Sequence, residues 1–545
     1  MDDLTVTVYA ALSGPMPKLG VIALAALVAL ALLSPVARVQ VPAMVLASVL
    51  APVLLVIDIW HSPQLAFVHR HPALATSGAV GLGGVLIAFA FLLARRPRWV
   101  AVLVTAALPF RLPIQAGGKA SNLLVPLYLV VGVGVLAYAI ELVRGRGAES
   151  SAPVADTGRQ PAPARTGPGS AGLVARITAL DGVWVARLLA LYVGLYAVQA
   201  TYSSGFETAL QQIVFFYVPF ALMFCLLRRV DWTPRLLRTC LALVSVLAVA
   251  FAIVGFVEYA TKTIILNPKL VVQNDLHAYF TVNSVFFDPD IFGRFLALVM
   301  IALVGALLAV RRQREQLALT AVLAVLWAGL VLTLSRSSLG ALLVGLGVLA
   351  ALRWRPRRAL IVAAAVILVG AVAVVANRTT FGLNQGLNGA SSGRAGLIGG
   401  GLHMFTERPL WGFGSGAFVN QYTAEHQGTA TTLAASHTIA VTIAAEQGLI
   451  GELVYIALVL VAALTLIRGA RTSAARGAIA AAFIALMLHT NLYADFLEDP
   501  LTWTLLGIGM ALTGPGGAPG EGAETAAREP LTQDAPGEPQ AASGY

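Results

Sequence analysis

Long apolar runs, broken by short polar or basic stretches, dominate the chain. A run of about 20 apolar residues is the length a helix needs to cross a bilayer. Such runs fall at roughly 19–36, 41–58, 75–94, 99–112, 122–142, 182–200, 208–228, 238–258, 290–310, 317–334, 338–353, 359–376, 439–467, 475–491 and 499–513. They are rich in Leu, Ala, Val and Gly and lack the alternation of a strand. In lipid only helices and closed barrels satisfy every backbone polar group. The pattern therefore predicts an all-α fold, a polytopic transmembrane helical bundle of about 12–15 spans.

The breaks predict orientation. Basic clusters stand at Arg95, Arg96 and Arg98, at Arg144 and Arg146, and at Arg228, Arg229, Arg235 and Arg238. They continue at Arg311, Arg312 and Arg314, at Arg353, Arg355, Arg357 and Arg358, and at Arg468, Arg471 and Arg476. Every cluster falls in an alternate loop, and basic loops stay in the cytoplasm. The loops 60–74, 113–121, 201–207, 259–289, 377–438 and 492–498 then face outward. This predicts a multi-pass protein of the plasma membrane, with its informative loops outside.

Composition agrees. The 545 residues are 58% hydrophobic and 11% charged, against about 25% charged in a soluble domain. The net charge of +10 fits basic cytoplasmic loops, so no nucleic-acid partner is expected. Cys225 and Cys240 flank a basic loop without metal-ligand spacing, and no disulfide framework is expected. The acidic start MDDLTVTVYA does not read as a cleavable signal peptide.

Four regions follow: N-terminal spans over 1–144, a disordered cytoplasmic linker over 145–178, a membrane core over 179–513, and a disordered cytoplasmic tail over 514–545. Linker and tail are rich in Ala, Pro, Gly and Ser. Within the core, 377–438 is the one large outward loop, and loops of that length are commonly functional. Its stretch GRAGLIGGGLHMFTE predicts a helix with Leu397, Ile398, Leu402 and Phe405 near one face, followed by a turn at RPLWGFGSG.

The chemistry-bearing candidates gather at this outer side. His437 opens SHTIAVTIAAEQGLIG, where the loop ends and a span begins. An imidazole titrating near 6.5 suits proton exchange there, although a histidine capping a helix would occupy the same place. Arg336 in LTLSRSSLGALL and Arg294 in DPDIFGR lie at outward span ends, and Arg394 in SSGRAG lies just before the loop helix, all against the positive-inside bias. Guanidinium groups match phosphate oxygens in a planar fork, so the three predict a diphosphate site. A lipid headgroup for Arg336, and a turn-local salt bridge of Arg294 with Asp288 or Asp290, explain the same residues more simply. Glu446 lies about two and a half turns beyond His437 on a roughly opposed face. With Gly448 and Gly451 beside it, Glu446 reads as structural. Asp495, Glu498 and Asp499 read as a solvated acidic loop. GFGSG reads as a turn, and His61, His69 and His71 lack metal-site spacing. No nucleotide-binding motif appears.

Taken in order, DPDIFGRFLAL, SRSSLGALL, GRAGLIGGGLHMFTERPLWGFGSGAF and SHTIAVTIAAEQGLIGELVYIALVL resemble the core of the O-antigen ligase and O-antigen polymerase superfamily over about residues 280–470. That resemblance implies a GT-C-like bundle and a glycosyltransferase that needs neither metal nor cofactor. Its donor would be a polyprenyl-diphosphate-linked glycan on the outer leaflet. Its acceptor would be a glycan, a glycolipid or a protein. The resemblance also implies that His437 is the essential loop histidine, and that Arg336 and Arg394 hold the diphosphate, with Arg294 a looser match. Asp288, Asp290 and Glu446 remain secondary candidates. The family often has Asn after the histidine, where this chain has Thr438. The sequence does not separate ligase from polymerase. A transporter or flippase is the rival from another class, but it would place ionisable residues near the midplane rather than at span ends.

Overall fold

A computed structural model describes residues 15–58, 60, 65–116, 119–145, 182–266, 270, 271, 274, 280–354, 357, 394–425, 436–493 and 495–513. Twelve of its helices are long and apolar enough to cross a membrane. The N-terminal group is α1 (Pro15–Leu33), α2 (Ala37–Asp58), α3 (Ala66–Arg70), α4 (Pro72–Ala94), α5 (Arg98–Ala107) and α6 (Val125–Val143). There follow α7 (Gly182–Ala200), α8 (Phe206–Arg229), α9 (Pro234–Thr261), α10 (Pro289–Leu307), α11 (Gln313–Leu332) and α12 (Arg336–Arg353). The rest is α13 (Arg394–Glu407), α14 (Phe418–Glu425), α15 (Ile439–Ile467), α16 (Ala474–Leu492) and α17 (Pro500–Thr513).

The expected spans match these helices, except that those at 99–112 and 499–513 form the shorter apolar helices α5 and α17. The run at 99–112 is helical only to Ala107, because Pro109 has no N–H to continue a helix. An antiparallel hairpin follows, with β1 (Leu112–Ala116) paired to β2 (Lys119–Leu123), and among the described residues it is the departure from an all-helical chain. The expected span at 359–376, the linker over 145–178 and the tail over 514–545 lie outside the described residues.

The site is positioned by α10, α12 and α16, which pack on one another, and by α15, which packs on α16. Every residue from Phe292 to Ile301 of α10 is buried, as expected of a helix apolar on all sides. Gly293 lets α12 come close: a Cβ there would stand 2.7 Å from the Ser338 hydroxyl. Helix direction alternates, so α10, α12, α15 and α17 begin, and α9, α11 and α16 end, at one rim of the bundle. Arg312, Arg353 and Arg468 lie at the opposite ends of these helices, as do Arg228 and Arg229 where α8 leads into α9.

Two buried glutamates fasten loops to that rim. Glu258 of α9 accepts the N–H groups of Asn283 and Ser284, at 3.2 and 2.7 Å, and of Ile265, at 3.3 Å. Glu446 of α15 accepts those of Gly416, at 2.8 Å, and Phe418, at 3.0 Å. Each carboxylate satisfies loop donors that would otherwise be buried unpaired.

Candidate functional site at the loop rim

The loop segment is built around a break in α15. Gly448 has φ 65 and ψ −164 inside the helix, a conformation essentially confined to glycine. The break exposes backbone groups, and the RPLWGFGSG turn pairs with them. Phe413 and Gly414 donate to the carbonyls of Ala445 and Glu446 at 3.1 and 2.8 Å, while Leu449 donates to Pro409 at 2.7 Å. Gly412, Gly414 and Gly416 all have positive φ. Gln199 of α7 donates to the carbonyls of Trp411, at 3.2 Å, and Gln447, at 3.1 Å. The glycine turn is therefore a clamp on α15, and Glu446 is its buried anchor.

The loop helix forms where expected, over Arg394–Glu407, but with a different face inward. Its buried residues are Gly400, Gly401 and Met404, while Leu402 is exposed. Gly400 packs on the Tyr422 ring, and Gly401 on Val441 and Phe418. The glycines allow an approach that a leucine face would prevent.

His437 sits in the turn before α15, half-buried, with φ 57. Left-handed backbone is uncommon for a residue other than glycine, and histidine is among those that tolerate it. Ser436 fixes the turn, accepting from the Thr438 N–H at 3.1 Å and donating to the Thr438 carbonyl at 2.7 Å. Burial, and next the Arg394 cation, hold the imidazole below its ordinary 6.5 against the opposing pull of Asp290 and Asp495. The ring lies 5.9 Å from that of Tyr493. Tyr493 donates its hydroxyl to Asp288 at 2.8 Å. Burial and the Asp288 carboxylate push that phenol well above its usual value.

Arg394 opens the loop helix and points back to the bundle. Its Nη1 donates to the Leu492 carbonyl at 2.8 Å, and its Nη2 lies 3.8 Å from Asp290 Oδ2. Asp290 Oδ1 in turn accepts from Ser335 and, at 2.8 Å, from Ser337. Asp288 caps α10 by accepting the Asp290 and Ile291 N–H groups at 2.7 and 3.4 Å. Burial, and next the neighbouring Asp290, raise its carboxyl. Arg336, exposed, is the first residue of α12, directly after its N-cap Ser335. The structure thus brings His437, Arg394, Asp288 and Asp290 into one corner, with Arg336 at the adjoining helix start.

Arg294 is placed otherwise than the sequence predicts. It is 1% exposed and lies 3.0 Å from Asp499 and 3.6 Å from Asp495. Its partners are neither a turn-local Asp288 nor Asp290. A buried guanidinium so matched is neutralised by carboxylates from the far end of the chain. Asp499, 1% exposed, is correspondingly not part of a solvated loop. Glu498 is half-buried, and burial, then Asp495 and Glu446, raise its carboxyl to about 8.

Sequence reasoning passed over His489. It is fully buried in α16, with Nε2 3.3 Å from Ser337 Oγ and 3.2 Å from Ser338 Oγ, and its ring 5.9 Å from Tyr493. Tyr493 thus stands between two histidines. A lone histidine in an apolar run carries no local signal of such partners. Among the described residues no group of three or more His, Cys, Asp or Glu is arranged to hold a metal ion.

Comparison with known proteins adds the family. No curated protein matches the chain. The family model described as O-Antigen ligase, Wzy_C, matches residues 319–456, about a quarter of the chain. That stretch includes Arg336, Arg394, His437 and Glu446, and leaves out Asp288, Asp290, Arg294 and His489. The protein is a multi-pass membrane protein whose residues 319–456 are similar to the Wzy_C O-antigen ligase family.

Proposed function

We propose that the protein is an inverting membrane glycosyltransferase that moves a glycan from a polyprenyl-diphosphate donor to an acceptor hydroxyl at the extracytoplasmic rim of the bundle. The observation that carries this reading is that His437 and Arg394 both stand at the start of α10, His437 beside Tyr493, whose hydroxyl bonds Asp288, and Arg394 beside Asp290. The basic residues at the opposite helix ends support an outward-facing site. The family match supports the lipid-linked substrate class.

In this reading the diphosphate lies at the membrane surface against Arg394 and Arg336. His437 accepts the proton of the acceptor hydroxyl while the hydroxyl oxygen bonds to the anomeric carbon. The bond from that carbon to the diphosphate breaks, and its electron pair leaves with the diphosphate, where the guanidinium charges stabilise it. Attack from the face opposite the leaving group inverts the anomeric centre. A neutral imidazole is the form needed at the start, and the depressed His437 value provides it at neutral pH. Arg294 serves as a fixed support of the rim through Asp499 rather than as a diphosphate ligand. Asp288 and Asp290 act as supports for Tyr493 and Arg394, and Glu446 as the loop anchor.

Deletion and complementation test this. Wild-type protein restores the surface glycan, whereas His437→Ala and Arg394→Ala variants reach the membrane and transfer nothing. Transfer retained by His437→Ala removes the base from the mechanism. The product that accumulates on deletion decides between the two reactions of the superfamily. Free lipid-linked polymer marks a ligase, and single-repeat product marks a polymerase. An unchanged surface glycan defeats both.

A further inference from the structure

We propose that His489 is a positioning residue for Arg394, acting through Ser337, Ser338 and Asp290. The functional side of this inference rests on the reading of Arg394 as a diphosphate ligand.

Counting protons assigns the state of the ring. Ser337 Oγ donates to Asp290 Oδ1 at 2.8 Å, and Ser338 Oγ donates to the Asp290 carbonyl at 3.2 Å. A hydroxyl has one hydrogen to give. With the serine hydrogens so placed, both oxygens meet His489 Nε2 as acceptors, and the arrangement assigns the proton to Nε2. Nδ1 is then a bare acceptor, buried and without a hydrogen-bond partner among the described residues. The ring is held for what its Nε2–H does.

That N–H turns both serine hydroxyls toward Asp290. With Oδ1 held by serine hydroxyls, the carboxylate presents Oδ2 to Arg394. The other side of the Arg394 fork is bonded to the Leu492 carbonyl, on the same helix as His489. A closed ring of contacts thus runs from α16 to α12, α10 and α13 and back to α16. It fixes a long, otherwise rotamer-rich side chain in one orientation before any ligand arrives, which lowers the ordering cost of binding. His489, buried behind the serines, acts on a ligand only through Arg394.

The test uses full-length protein in lipid nanodiscs, as wild type, His489→Gln and His489→Leu, each with and without Arg394→Ala. Undecaprenyl diphosphate is the binding probe, and the thermal unfolding midpoint is read without it. His489→Leu is expected to weaken binding about tenfold with Arg394 present and less than about twofold in the Arg394→Ala background. His489→Gln, whose side-chain amide N–H donates from nearly the place of Nε2, is expected within about threefold of wild type. Equal losses in both backgrounds, or no loss from His489→Leu, overturn the proposal. A wild-type protein that does not bind the probe defeats the functional reading instead. The unfolding midpoints then decide the positioning role. Non-additive shifts of His489→Leu and Arg394→Ala sustain it, and strictly additive shifts overturn it.

Discussion

Glu446 of α15 and Gly416 of the loop are joined by a 2.8 Å hydrogen bond, carboxylate to backbone N–H. Phe418 donates to the same carboxylate at 3.0 Å. Removing the carboxylate leaves two loop donors without an acceptor, at about 1–3 kcal/mol each when buried. Glu446→Ala is therefore expected to loosen the 412–418 turn and the loop helices on either side of it. Limited proteolysis of the membrane-embedded protein should cut within 394–425 in the variant and spare the wild type. Unchanged protection would mean that the turn is held from elsewhere.

Gly448 carries the other half of the clamp. A Cβ at this position would stand 2.5 Å from the Leu410 carbonyl carbon, and the backbone has φ 65 and ψ −164. Backbone strain of this kind costs on the order of 1–3 kcal/mol before any clash is counted. Gly448→Ala is expected to lower the thermal unfolding midpoint and to expose the loop as Glu446→Ala does. If instead α15 straightens without loss of stability, the break is not what the turn requires.

The membrane-length helices, the loop helix at Arg394–Glu407 and the glycine turn after it were legible because each has a local cause. Lipid demands apolar length, and closely spaced glycines mark a turn. The face of the loop helix was not legible. Hydrophobic periodicity selects Leu397, Ile398, Leu402 and Phe405, whereas the contact is made by Gly400 and Gly401, which score as nothing on a hydrophobic scale yet allow Tyr422 and Val441 to approach. His489 and the pair Arg294–Asp499 were hidden for a second reason. Their partners come from elements far apart in the chain, and no spacing within one segment encodes them.

Arg294 and Asp499 give a stability prediction. Both are 1% exposed. Breaking a buried pair by removing one partner typically costs about 3–5 kcal/mol, since it leaves an uncompensated charge in a dry interior. Asp499→Ala is expected to destabilise the protein by that order, seen as a large drop in the thermal midpoint in detergent. Asp495, whose side chain is 30% exposed and 3.6 Å away, should cost markedly less when replaced by alanine. Equal and small effects at both positions would show that Arg294 finds other partners.

His437 gives a pH prediction. Burial and Arg394 disfavour the imidazolium, so the ring gains its proton below 6.5 rather than at it. Any activity that needs the neutral ring holds through neutral pH and falls only below that value. Arg394→Ala removes one of the two depressing causes and leaves the opposing carboxylates, so the midpoint moves up. Diethyl pyrocarbonate attacks the neutral ring, and mass spectrometry of the His437 peptide against pH reads the midpoint without a substrate. A downward shift in Arg394→Ala, or none, would contradict the influence of the Arg394 charge on the ring.

Orientation gives the last prediction. If basic helix ends lie in the cytoplasm, Thr406 in the loop helix faces outward and Arg314 at the start of α11 faces inward. Both positions are exposed. The native Cys225 and Cys240 are buried, so neither gives a strong background to a thiol reagent. A membrane-impermeant maleimide should label Thr406→Cys in intact spheroplasts and label Arg314→Cys only after lysis. The reverse pattern would place His437 and Arg394 on the cytoplasmic side, where a donor presented on the outer leaflet could not reach them.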